Sequence, residues 1–134
     1  MKNYFSLPNE IFCLNLSCGE IAIYAYLLFR EDRKTYQCYP SYKTIGDAIG
    51  ISKNTVKKYV NSLVQKQLIT TEPTQVITKN GEKRNGNLLY TIRPIDEAVR
   101  FYYETQLRNY YDKQTRLRIE NRLKELSENR LKSI

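Results

Sequence analysis

The chain has 134 residues and no His, and its 22 Lys and Arg outnumber 14 Asp and Glu. That length fits one domain with an appendage, able to bury a core without disulfide or metal, and the missing His excludes Ser-His and Cys-His nucleophile pairs and His-ligated metals. Residues 1–40 are net neutral, whereas residues 41–66 carry five Lys and one Asp; a surplus focused on one segment points to a polyanion, nucleic acid before membrane.

Met1–Ser6 has little structural signal. Pro8 can open a short helix through Leu14, with Phe5, Leu7, Ile11, Phe12 and Leu14 as apolar contacts. Ser17 with Glu20 reads as a capping box for a helix from Cys18 to about Arg30. That helix is apolar nearly all round, as expected of a buried central helix, but its run Ile21–Phe29 is too short to span a bilayer. No signal peptide is evident, and Cys13, Cys18 and Cys38 lack CxxC spacing. They suit buried, reduced thiols, with a Cys13–Cys18 bridge as the lesser alternative, so a cytoplasmic location is expected.

Glu31–Lys34 ends the helix, and Tyr36–Tyr39 can form a short strand before Pro40. Ser41 caps a helix whose apolar face is Tyr42, Ile45, Ala48 and Ile49, and Gly50 stops it. Ile51 plugs the turn. Ser52 caps a second helix with Val56, Tyr59, Val60, Leu63 and Val64 inward and Lys53, Asn54, Lys57, Lys58 and Asn61 outward. Two short helices around a Gly turn, the second one basic, make a helix-turn-helix. Two β-prone stretches follow, Ile69–Glu72 with Gln75–Thr78, and Leu88–Ile92, around a basic segment, residues 79–87, that contains two Asn-Gly pairs. A basic hairpin in that place is a wing. The fold expected is mainly α with a small β-hairpin wing: a winged helix over residues 1–93 and a C-terminal helix in 94–134.

The last helix is expected from about Pro94 to about Ser127. Acid-to-base pairs at i, i+4 recur along it: Asp96/Arg100, Glu104/Arg108, Asp112/Arg116, Glu120/Lys124 and Glu128/Lys132. Its apolar residues divide between a broad face that includes Tyr102, Tyr103, Leu107, Tyr110 and Leu117, and an opposite set, Ile119, Leu123 and Leu126. A regular heptad coiled coil is not supported. Tyr103, Leu107, Tyr110 and Leu117 are the candidate homodimer contacts, with folding back over the domain as the alternative. Tyr24, Tyr59, Tyr102 and Tyr103 fall at core spacings, which leaves Tyr42 and Tyr110–Tyr111 as the tyrosines free to stack on bases. Paired carboxylates such as Asp96-Glu97 sit at helix ends, where capping explains them without catalysis, so no enzyme activity and no cofactor are expected.

The run Gln37–Ile69, with Cys38-Tyr39-Pro40-Ser41 before the first helix, Gly50-Ile51-Ser52 between the helices, and Thr55-Val56 then Leu63 down the second, resembles a bacterial winged helix family of phage and plasmid proteins. That family includes the N-terminal domain of Gram-positive replication initiator protein A, and the likeness spans about Tyr4 to Ile92. It implies a recognition helix, residues 53–66, whose Ser52, Lys53, Asn54, Thr55, Lys57 and Lys58 face the major groove. Asn54 would read adenine, the lysines guanine or phosphate, and Ser52 and Thr55 phosphate. Ser41, Tyr42 and Lys43 would sit on the backbone, and Lys79, Lys83, Arg84 and Asn85 at the wing tip would reach the minor groove or its phosphates. Residues 41–66 contain no Arg, so bidentate Arg-to-guanine readout is not available from this helix.

The expected partner is double-stranded DNA. The expected role is a small transcriptional regulator of a mobile element or phage, a setting that the abundance of Lys, Asn, Ile and Tyr, with their AT-rich codons, also suits. The alternative is a replication accessory or adaptor acting through a replication or transcription partner protein. Initiators of the related type continue into further domains, so an autonomous initiator is not expected.

Overall fold

The computed structural model describes residues 3–132. Met1 and Lys2, the start of the stretch with little structural signal, lie outside them. The chain packs as two units, Met1–Phe101 and Tyr102–Ile134.

In the first unit a 3₁₀ turn, Asn9–Cys13, precedes α1, Cys18–Arg30. The capping box forms as expected: the Ser17 hydroxyl accepts the Glu20 N–H, and the Glu20 carboxylate accepts the Ser17 N–H. Burial of α1 is one-sided, however. Ile23, Tyr24 and Leu27 are inside, while Phe29 is 62% exposed and Phe12 of the preceding turn 73% exposed. An apolar-all-round sequence therefore does not make α1 a central helix; the domain is too small to cover both its faces. Strand β1 is only Gln37–Cys38, shorter than the expected Tyr36–Tyr39, because Tyr36 turns into left-handed backbone at φ +60°. Cys38 is buried, but Cys13 and Cys18 are exposed free thiols, contrary to the expectation of three buried ones.

Helices α2, Tyr42–Ile49, and α3, Lys53–Gln65, start and stop where the caps predicted. Gly50 has φ +86°, the left-handed conformation that lets its N–H bond the Gly46 carbonyl. The Ile51 N–H bonds the same oxygen, and the turn pinches so closely that a β-carbon on Gly46 would lie 2.5 Å from the Ile51 carbonyl oxygen. Ile45, Val56, Val60 and Leu63 are buried between the helices, whereas Ala48, assigned to the apolar face, is exposed.

The wing is two pieces of antiparallel sheet. Strands β2, Ile69–Glu72, and β5, Leu89–Ile92, pair in register Ile69 to Ile92 through Glu72 to Leu89, and β1 adds to the other edge of β5. Beyond them β3, Gln75–Ile77, and β4, Lys83–Asn85, form a separate ribbon. Helix α4 runs from Ile95 to Lys132, past the expected end near Ser127 and without Pro94 in it. Ala98 is buried in the first unit, with Ile95 and Val99 half-buried.

Within the second unit Tyr103 is 56% exposed, so its core spacing does not give it a core place. The expected ladder of ion pairs also fails to form. Asp96, Glu104, Asp112 and Glu120 make no ion pair with the base four residues on, and Glu128/Lys132 reaches outside the described side chains. Along this stretch Arg93, which precedes the helix, pairs with Glu97 in its first turn, and Arg122 pairs with Glu125. In water an i, i+4 spacing permits a pair without enforcing one.

Candidate nucleic-acid interface

The second helix of the helix-turn-helix is fixed at both ends. At its N-terminus the Ser52 hydroxyl accepts the Thr55 N–H and lies 2.9 Å from the Thr55 hydroxyl. At its C-terminus Ser62 donates to Glu20 Oε2 and Lys66 Nζ sits 2.8 Å from the same carboxylate. Burial alone would raise the Glu20 pKa, but Lys66, Ser17 and Ser62 outweigh it and hold it below its ordinary value of 4.5. Glu20 is 5% exposed, so this carboxylate is an internal tie between α1 and α3. Lys66 is thereby the lysine of the basic segment turned to an internal partner. The sequence signal was present, since a capping-box acid on a buried face needs a cation, but its partner lies 46 residues away.

Lys53, Asn54, Lys57 and Lys58 are exposed along one face of α3, with Thr55 half-buried at the first turn, and none of these lysines has an ion-pair partner among the described residues. At the start of α2, Ser41 caps through its hydroxyl to the Thr44 N–H, Lys43 is exposed, and Tyr42 is half-buried with its hydroxyl pKa raised by burial. Ser41 and Tyr42 line a cleft of about 150 Å³ with Gly86, Asn87 and Tyr90, and Asn87 donates its side-chain amide to the Tyr39 carbonyl. The base of the wing therefore stands beside the start of α2. The Tyr90 hydroxyl at this cleft is buried without a partner, and burial raises its pKa.

The wing residues are placed differently from expectation. Only the first Asn-Gly pair makes the hairpin turn: Gly81, at φ +79°, donates to the Thr78 carbonyl, and Thr78 donates back to the Glu82 carbonyl. Lys79 is on that turn, but Lys83, Arg84 and Asn85 form β4 instead of the tip. The second pair, Asn85-Gly86, lies flat, because Gly86 backs onto Thr74, which a β-carbon would meet at 2.5 Å. Strand alternation puts Lys83 and Asn85 on one face of the ribbon and Arg84 on the other, where it lies 3.6 Å from Glu82. The wing residues are thus divided between the turn, which holds Lys79, and the two faces of the ribbon. Val76 and Ile77 of the facing strand are apolar yet exposed, because the ribbon has no second layer to bury them.

Among the described residues no group of His, Cys, Asp and Glu could hold a metal, and no helix is long and apolar enough to cross a membrane.

The fold is a winged helix-turn-helix with a long C-terminal helix. Residues 14–69 match the profile of a helix-turn-helix domain family. Among solved structures the chain is similar to a possible transcriptional regulator from Methanosarcina mazei Go1, at 16% identity and a TM-score of 0.50, over 81% of this chain and 82% of that one. No curated protein sequence matches the chain.

Proposed function

We propose that the chain binds double-stranded DNA and serves, without enzymatic activity, as a small transcriptional regulator in the cytoplasm of a bacterium. The observation that carries this reading is the row Lys53, Asn54, Lys57 and Lys58, exposed and without ion pairs among the described residues on a second helix capped by Ser52. The helix-turn-helix match and the fold likeness to a possible transcriptional regulator support it. Service to a mobile element or phage rests on the resemblance to phage and plasmid proteins and on the abundance of Lys, Asn, Ile and Tyr, residues with AT-rich codons. In this reading α3 enters the major groove, Asn54 reads a base, and Ser41, Lys43, Ser52 and the wing engage phosphates.

With about four to six phosphates contacted, log affinity should fall against log salt with a slope of about −4 to −5. Asn54→Ala should relax preference at one position, by about 1–3 kcal/mol for a lost bidentate adenine contact. Lys83→Ala and Arg84→Ala, made separately, should differ, since the ribbon offers them on opposite faces. The variant that weakens binding uniformly across sequences identifies the face on the DNA. A randomised-site titration without any salt slope refutes the proposal. A second reading, a replication accessory working through protein contacts, draws on the exposed apolar residues of α4. Recovery of replication proteins in place of promoter fragments in a pull-down would favour it.

A further inference from the structure

We infer that α4 pairs with the α4 of a second copy in antiparallel orientation, about a two-fold axis beside Asp112. Tyr103, Leu107, Tyr110, Gln114, Leu117 and Asn121 follow one another at spacings of four, three, four, three and four. The helix as a whole has no regular heptad, but over 103–121 this is the a/d rhythm of a short coiled-coil seam, with polar layers at Gln114 and Asn121. Tyr103, Leu107, Tyr110 and Leu117 are each at least 43% exposed, so the second unit does not cover its own stripe. Solvated apolar side chains in a continuous row call for a second surface.

Charge says which surface and which direction. In a parallel pair in register, the residues flanking the seam 103–121 would set Lys113 against the partner's Arg118, and that repulsion would occur twice. Antiparallel pairing about Asp112 instead opposes Leu107 to the partner's Leu117, Tyr110 to the partner's Gln114, and Tyr103 to the partner's Asn121. Glu104 then meets the partner's Arg118, again twice, and the exposed Tyr111 meets its own copy across the axis. Glu104 and Arg118 make no ion pair among the described residues, so both are available there. Within the seam 103–121 one unfavourable contact remains, Lys113 against the partner's Lys113. The stripe is thus complementary to itself in one direction, as a two-fold interface requires.

This inference stands apart from DNA binding, and its test needs no DNA. Light scattering on the full chain at micromolar concentration should give twice the chain mass, and Leu107→Asp should give a monomer with unchanged helix content by circular dichroism. Direction is read with single cysteines in a Cys13→Ser/Cys18→Ser background, Cys38 being buried. Antiparallel pairing holds the two copies of position 107 about 15 Å apart along the axis. Leu107→Cys mixed with Leu117→Cys should therefore oxidise to a mixed disulfide, while neither variant crosslinks to itself. Glu104→Arg should weaken the dimer about five-fold, in keeping with two exposed ion pairs, and adding Arg118→Glu should restore it. A monomeric full-length chain, or self-crosslinking of Leu107→Cys, overturns the inference.

Discussion

Glu20 does two jobs with one carboxylate. It closes the capping box of α1 through Ser17 and receives Ser62 and Lys66 from α3. Because the cation is partly exposed, the pair is worth less than a fully buried one. Glu20→Gln should still cost about 1–3 kcal/mol in urea unfolding at neutral pH, from a lost charge and imperfectly satisfied donors. A carboxyl held below its unfolded pKa stabilises the fold above that pKa, and the contribution fades as pH falls through the folded value. The deficit of Glu20→Gln against the parent should therefore shrink below 4.5. A deficit independent of pH would mean that packing, not charge, sets the effect. Cys38 illustrates the opposite case: its thiol, near the Leu27 carbonyl, is pushed up to about 11 by burial and is inert.

At the scale of elements, the helices were legible because their signals are local. Ser17, Ser41 and Ser52 mark three starts and Gly50 one stop, and each lies within four residues of the groups it serves. The wing was legible in kind but not in detail. Two Asn-Gly pairs look alike in sequence, and only the pairing of β3 with β4 decides that Gly81 turns while Gly86 packs. Gly46 was invisible for the same reason, since its requirement comes from a carbonyl five residues on. Gly46→Ala should open the helix-turn-helix at a cost of about 1–3 kcal/mol, because a backbone oxygen cannot swing aside as a side chain can. Gly50→Ala, with nothing within 4 Å, should cost only the left-handed backbone penalty of about 1–2 kcal/mol. Urea midpoints of the two variants compare them, and a harmless Gly46→Ala would contradict the tight turn. Of the candidate site, the exposed lysine row of α3 was readable from periodicity; which wing residues share a face was not, because register is a tertiary fact.

For the whole molecule, the first two turns of α4 are part of the winged unit, through Ala98 and the Arg93–Glu97 pair. A chain ending at Phe101 should melt near the full-length protein, whereas one ending at Ile92 should melt several degrees lower, having lost the cover over Ala98's site. Equal melting of the two would show that α4 adds nothing to the core. The tie of α3 at both ends has a consequence for how a duplex would be read. A helix already ordered, with Ser52 at one end and Glu20 at the other, has no folding to complete on contact and little freedom to adapt its path. Adjustment then falls to the lysine stems and to the DNA. Steps that bend or widen easily would be favoured at positions no side chain touches, so part of the preference would be written in the stiffness of the duplex.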